Sequence, residues 1–200
     1  YTVGLGLENA GITVDGKGRI EINKKTLQTV NANIYAIGDC VDMPQLAHAA
    51  SAQGVAAAEA IMGMLARGET LGIVPRCVYT SPEIACVGFT ERQAVDAGFE
   101  IEVGRFPVAA NGRSMTAGER YGLAKVIAEK STGKIIGVHL CCHSATEIIS
   151  EPVNMISSGQ VIEDAERVIH AHPTVSEILG EALLDACGSA LNIPPRVPTK

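Results

Sequence analysis

Apolar and polar positions follow different rhythms in the two parts of this chain. Up to about residue 70, short apolar runs alternate with glycine-containing turns and one helix. Val14–Ile22 reads as a hairpin around Asp15-Gly16. Asn33-Ile-Tyr-Ala-Ile-Gly-Asp39 reads as a strand buried on both faces that stops at Gly38-Asp39. Leu46 to Arg67 reads as a helix rich in small residues, Ala47, Ala49, Ala50 and Gly54 among them, with Gly68 as its stop. Small residues permit close packing or the close approach of a flat ligand.

Leu71 to Pro75 reads as a linker, and beyond it the pattern is α+β. Cys77–Thr80 and Ile84–Val87 are predicted strands around a Ser81-Pro82 turn. Thr90 opens a helix that ends at Gly98. Glu100–Pro107, Tyr121–Glu129 and Lys134–Cys142 are predicted strands, the last two joined by a hairpin loop at Lys130-Ser-Thr-Gly133. Strands joined by such short turns form an antiparallel sheet. Ser144-x-x-Glu147 has the spacing of a capping box for a helix reaching Ser158, with Gly159 as stop, although Pro152 interrupts it by a kink or a new turn. Ile162–Val168 adds a short helix. Val175, Ile178, Leu179, Ala182, Leu183, Ala186, Ala190 and Leu191 then recur at i, i+3, i+4 and i+7, predicting a last helix with a continuous apolar stripe that ends at Pro194-Pro195.

Composition narrows the possibilities. The 200 residues are 46% hydrophobic, enough to bury a core, and carry a net charge of −6, which speaks against a general nucleic-acid binder. The longest apolar run, Val55–Ala58, is far short of a membrane span. No signal peptide is visible. The six cysteines form no C-x-x-C pair, and no two are separated by four residues. They read as buried, reduced thiols of a cytoplasmic protein.

Four motifs could carry chemistry. Gly4-x-Gly6 lacks both a preceding strand and the third glycine of a dinucleotide fingerprint, and reads as a turn. Gly38-Asp39 places a carboxylate at a strand end, where glycine admits a ligand to the backbone and the next helix points its N–H groups; a plain strand-end turn is the alternative. His139-Leu-Cys-Cys-His143 resembles a metal cluster, yet strand alternation sends Cys141 and Cys142 to opposite faces, so no metal is expected there. His170-Ala-His172-Pro-Thr-Val-Ser-Glu177 sets an imidazole beside a carboxylate at a helix start. Glu177 can accept the Nδ1 proton of His172 and leave Nε2 as a base, or it can serve as the capping-box partner of Thr174.

Together and in this order, these strings resemble the C-terminal portion of the FAD-dependent pyridine-nucleotide disulfide oxidoreductases, most nearly the dihydrolipoamide dehydrogenases. Leu46-Ala-His48, Val78-Tyr-Thr-Ser-Pro-Glu-Ile-Ala-Cys-Val-Gly-Phe-Thr-Glu91, Tyr121-Gly-Leu-Ala-Lys125 and Gly133-Lys-Ile-Ile-Gly-Val-His139 also fit. The His-Ala-His-Pro-Thr-x-Ser-Glu string is the narrowest, and it favours the lipoamide enzymes over glutathione or mercuric reductases. The resemblance implies an α+β fold: an antiparallel-sheet interface (dimerisation) domain at 72–200, preceded at 1–70 by a remnant of Rossmann-like FAD/NAD-binding domains. It implies that Gly38 and Asp39 meet the FAD ribityl chain and that Gln45, Leu46, Ala47 and His48 line the flavin. It makes His172 the base for a dithiol, oriented by Glu177 and serving the redox disulfide of the other subunit of a homodimer. The implied reaction is oxidation of dihydrolipoyl groups, on a lipoyl-bearing protein or free dihydrolipoamide, by NAD through FAD. The redox cysteine pair and both G-x-G-x-x-G motifs of the family would lie upstream, so the 200 residues by themselves are expected not to turn over. A non-catalytic dimerisation module, a related disulfide reductase and an NADH oxidase are the other readings.

Overall fold

In a computed structural model that describes residues 1–64 and 72–194, the chain divides into two units, Tyr1–Val74 and Pro75–Lys200. The first is built around Ile12, Ile20, Ala36 and Val41, with Leu7, Ile22, Ile34 and Met43 packed against them. Its extended segments meet only through single bridges: Val14 with Ile20, Ile20 with Val41, and Gln28 with Tyr35. The predicted hairpin is therefore one bridge closed by an Asp15 turn, whose carboxylate accepts from the Lys17 and Arg19 N–H groups. The predicted strand 33–39 is corrected to a bridge at Tyr35 followed by a tight turn at Gly38–Cys40. A two-sided parallel strand needs ladder partners on both edges, and the described residues supply none beyond these bridges. Helix α1 spans Ala47–Ile61, with Leu46 as N-cap and Met62 as C-cap. The helix ends short of the predicted Arg67, with Gly63 at φ 67 just past its cap; Gly68, Leu71 of the linker and Pro195 lie outside the described residues.

The second unit is a five-stranded antiparallel sheet. Its strands are β1 (Arg76–Val78), β2 (Glu83–Gly88), β3 (Ile101–Pro107), β4 (Leu123–Glu129) and β5 (Ile135–Cys142), in the order β1-β2-β5-β4-β3. Alternation sorts the faces. Ala85, Leu140, Ala124 and Phe106 line up across β2, β5, β4 and β3 and are buried. One position along, Cys86, His139, Lys125 and Arg105 face the other way. Helix α2 (Glu91–Asp96) starts with a complete capping box between Thr90 and Gln93. Short helix α3 covers Gly112–Thr116.

The predicted 144–158 helix is two helices, α4 (Ala145–Ile148) and α5 (Ser150–Ser157). Ser144 lies in the left-handed region at φ 60 and makes no cap. Glu83 takes that role, accepting from the Thr146 N–H and hydroxyl. Pro152 is the third residue of α5, where an N–H has no intrahelical acceptor, so the ring is tolerated. After α6 (Ile162–Ala165), the last helix α7 runs Glu177–Ala186, shorter than the apolar stripe. Gly188, at φ 73, ends it, and Asn192 folds back to donate to Glu181. Ile178, Leu179, Ala182 and Leu183 are fully buried, and α7 lies against β3 and β4. Gly104 makes that contact possible, since a Cβ there would sit 1.8 Å from the Ala182 carbonyl oxygen.

The cysteines depart from expectation: all six are free thiols, but only Cys142 is buried and the others are half-buried. Cys86 and Cys141 sit on the sheet face away from the core.

Candidate functional site

Glu177 is the first residue of α7, and its carboxylate uses both oxygens. Oε2 accepts from the Thr174 N–H at 2.7 Å, and Oε1 lies 2.8 Å from Nδ1 of His172. The capping interaction and the His–carboxylate pair therefore coexist on one side chain. Thr174 does not complete the capping box: its hydroxyl donates to the Ala171 carbonyl. Pro173 precedes the helix by four positions and is joined to His172 by a cis peptide.

A carboxylate only accepts, so a proton on the His172–Glu177 bond belongs to Nδ1, and in the neutral ring Nε2 is left as the acceptor. The His172 side chain is 77% exposed and that of Glu177 25%. Partial burial pulls the Glu177 carboxyl upward, but the Thr174 N–H, the His172 ring and the nearby His170 outweigh it and hold the group below its usual range. The pair borders a cleft of about 430 Å³ whose wall includes Phe106, Asn111, Met115 and His170. A solvent-facing imidazole held in one tautomer beside a cleft can take and return a proton.

Three neighbours of this pair, Asn111, His170 and Glu151, are given no role by the sequence reading. Asn111, 4% exposed, donates to the Thr174 carbonyl at 3.0 Å while its Oδ1 caps α3 at Ser114. The Asn111-x-x-Ser114 spacing before a short helix is the signal that could have found it. His170 stood in the motif but received no role; its Nε2 lies 3.1 Å from Oε1 of Glu151 on α5. Nothing in the sequence pairs residues 151 and 170.

The first unit carries the other candidate residues. Gly38 is buried at φ 72, and its N–H donates to Oε1 of Gln53 at 2.5 Å. Gln53 is fully buried on α1, and its Nε2 has no partner among the described residues. Asp39 is exposed, with no hydrogen-bond partner for its carboxylate among the described residues, and Gln45 donates to its backbone carbonyl at 3.1 Å. Leu46 caps α1 without a side-chain hydrogen bond, while Ala47 and His48 are exposed in the first turn. An acceptor carboxylate and uncapped helix N–H groups suit a ligand with hydroxyls and carbonyl or anionic oxygens.

Among the described residues, no group of three or more His, Cys, Asp or Glu side chains converges to hold a metal. His139 instead approaches the Phe89 carbonyl at 2.9 Å, and burial pushes the Cys142 thiol up to about 12. No described helix is long and apolar enough to cross a membrane.

Residues 74–183 match the family model for the pyridine nucleotide-disulphide oxidoreductase dimerisation domain, and residues 2–54 match the model for pyridine nucleotide-disulphide oxidoreductase. The dihydrolipoyl dehydrogenase of Bacillus subtilis (strain 168) is 44% identical over 189 residues, 94% of this chain and 40% of that protein. The mitochondrial dihydrolipoyl dehydrogenase of Sus scrofa is 42% identical over 193 residues, 96% of this chain and 38% of that protein. The chain thus spans about two fifths of the length of these relatives. Among solved structures, LpdA from Mycobacterium tuberculosis superimposes with a TM-score of 0.83 at 27% identity, covering 91% of this chain and 39% of that one. The HOCl-induced flavoprotein disulfide reductase RclA from Escherichia coli gives 0.81 at 29% identity, covering 92% and 42%.

Proposed function

The chain belongs to the pyridine nucleotide-disulphide oxidoreductases, and from that premise we propose that it is the C-terminal part of a dihydrolipoyl dehydrogenase in which His172 moves the proton of a dithiol. The observation that carries this reading is the 2.8 Å bond from Nδ1 of His172 to Glu177, made by a ring that is 77% exposed. Oxidising a dihydrolipoyl group, on a lipoyl-bearing protein or as free dihydrolipoamide, releases two electrons and two protons. FAD, when bound, supplies the electron acceptor that serves NAD.

The residues of this chain do the rest. Nε2 of His172 accepts a thiol proton and returns it, Glu177 offsets the imidazolium charge, and the Thr174 N–H keeps the Glu177 carboxylate from turning away. Asp39 would hold the cofactor by its ribityl hydroxyls, with Gly38 admitting it to the backbone. Gln45, Leu46, Ala47 and His48 would meet the flavin at the start of α1. The uncapped first turn and the Asp39 carboxylate, which has no hydrogen-bond partner among the described residues, fit that group. The match to a dimerisation domain supports a homodimer in which the exposed His172 ring serves the redox cysteines of the second subunit. The free thiols are in keeping with a reducing, cytoplasmic setting.

The test is NAD-linked oxidation of dihydrolipoamide by the full-length enzyme that carries this chain and by its His172→Gln variant. The expected loss in kcat is about 10²- to 10⁴-fold with flavin absorbance unchanged. A variant with the parent's rate would end the reading. A reductase of another disulfide is the second reading, favoured by the likeness to the flavoprotein disulfide reductase. Turnover with that disulfide and none with dihydrolipoamide would select it.

A further inference from the structure

The His172–Glu177 pair is not alone: a second imidazole–carboxylate pair stands beside it with the opposite exposure. The His170 side chain is 9% exposed, against 77% for His172, two residues on. Its Nε2 meets Glu151, which projects from the first turn of α5. Its other edge lies against α7 at Gly180, where a Cβ would stand 2.9 Å from Nδ1 and 3.2 Å from Cε1 of the ring. The missing side chain of Gly180 is what gives the imidazole room. The segment between His170 and Glu177 is thus gripped at its start by α5 and α7. It is held further along by Asn111, which donates to the Thr174 carbonyl.

We propose that His170 is a positioning residue: wedged between Glu151 and the bare surface of α7 at Gly180, it fixes the turn that carries His172 so that Nδ1 of His172 stays on Glu177 and Nε2 stays free. The proposal rests on the reading of His172 as a proton carrier. An exposed imidazole on a short loop has several rotamers and two neutral tautomers, and a single hydrogen bond at the surface selects weakly among them. Anchoring the residue two positions earlier removes the backbone freedom that would let the ring leave Glu177.

Charge works in the same direction. The hydrogen bond to Glu151 raises the His170 pKa, burial opposes it, and Glu177 adds to the rise. The groups around His170 are Glu151 on α5, Glu177 and Glu181 on α7, Glu166 beyond α6, and His172 on its own loop. The bond to Glu151, with Glu177 nearby, outweighs burial and favours a proton on His170. That positive charge in turn helps hold Glu177 ionised.

The experiment is a long-range ¹H–¹⁵N spectrum of the histidine-labelled intact protein, followed over pH, beside steady-state kinetics. The parent should show the proton of the neutral His172 ring on Nδ1. Gly180→Ala places a methyl against the His170 ring while favouring the helix, so the fold persists. It and His170→Gln should shift the His172 signal toward the Nε2-protonated tautomer. They should also lower kcat by at least about tenfold, with KM within about twofold and flavin content unchanged. Glu151→Gln should lower the pH at which His170 titrates; an unmoved midpoint would remove Glu151 from the brace. If Gly180→Ala and His170→Gln keep the parent's tautomer and kcat, His170 only fills space and the proposal falls, while the reading of His172 stands. If the parent itself carries the His172 proton on Nε2, the proton-carrier reading falls with it.

Discussion

Leu183 in the second unit and Gln53 in the first are both fully buried, and they are held in opposite ways. Leu183 belongs to the apolar seam between α7 and the sheet, where Phe106, Val126, Ile178 and Leu179 are just as inaccessible. Gln53 sits on the face of α1 between Ala49 and Ala57, and half its amide is spent on one backbone N–H, that of Gly38. Leu183 is held by dense packing, Gln53 by a polar pin on a single turn. The difference teaches that burial alone does not say what a residue is for. An apolar seam supplies stability to a whole unit. A buried amide with one bonded end fixes the shape of the few residues it touches, here the turn that presents Asp39.

The largest effect should come from emptying the seam. Leu183→Ala is expected to cost about 3 kcal/mol and to lower the thermal transition of the second unit in calorimetry while leaving that of the first in place. A joint shift of both transitions would show that the two regions are not independent. Thr90→Ala, which removes one arm of the capping box of α2, should cost about 1 kcal/mol, again in the second unit only.

Gln53→Met should change the stability of the first unit by less than about 1 kcal/mol. It loses the Gly38 bond but also removes the buried amide nitrogen, two effects of about 1–3 kcal/mol and opposite sign. Hydrogen exchange at Gly38 should nonetheless accelerate. Protection there unchanged from the parent would mean that the turn holds without its pin.

The remaining effects lie at the ends of the pH scale. Asp15 is held at about 2, first by the Arg19 N–H and then by its guanidinium. A lowered carboxyl pKa means a contribution present above 3.8 that fades as pH falls toward 2. Glu83, Glu91 and Glu177 are also held low, so acid weakens the second unit as well. The alkaline limb separates the regions. Burial raises the Cys142 and Cys187 thiols from 9.0 to about 12, so their neutral forms favour the fold below 9 and that advantage is lost as pH climbs from 9 toward 12. Circular dichroism between pH 9 and 12 should show the second unit's signal failing first.

Legibility in the sequence followed the same divide. β3, β4, β5 and the loop between the last two were readable within a residue or two, because alternation, turn chemistry and partners all lie in consecutive sequence. The 33–39 segment has the composition of a buried strand, but a strand is a property of its neighbours, and single bridges are what it finds here. The ends of helices were less legible than their faces. The stripe of α7 ran on to Leu191 on paper, and a glycine at Gly188 stopped it earlier. Of the candidate site, His172 and Glu177 were five positions apart and could be paired by eye. Glu151, Asn111 and Gly180 reach the same turn from three other elements, and no local pattern connects them.

The order of the strands sets a timetable. The β3-β4-β5 meander pairs strands that follow one another in the chain, whereas the seam between β2 and β5 joins positions such as Cys86 and His139, with β3 and β4 lying between them in sequence. Closing that longer loop carries the larger entropic cost, so the β1-β2 hairpin is expected to dock onto a meander already formed. The covering helix α7 is the last regular element among the described residues, and it cannot cap β3 and β4 before they exist. Since Glu177 opens that helix and His172 hangs on the turn before it, the bond between His172 and Glu177 comes into being only when the final piece of the unit locks down, and a chain caught short of that step is folded nearly everywhere yet lacks it.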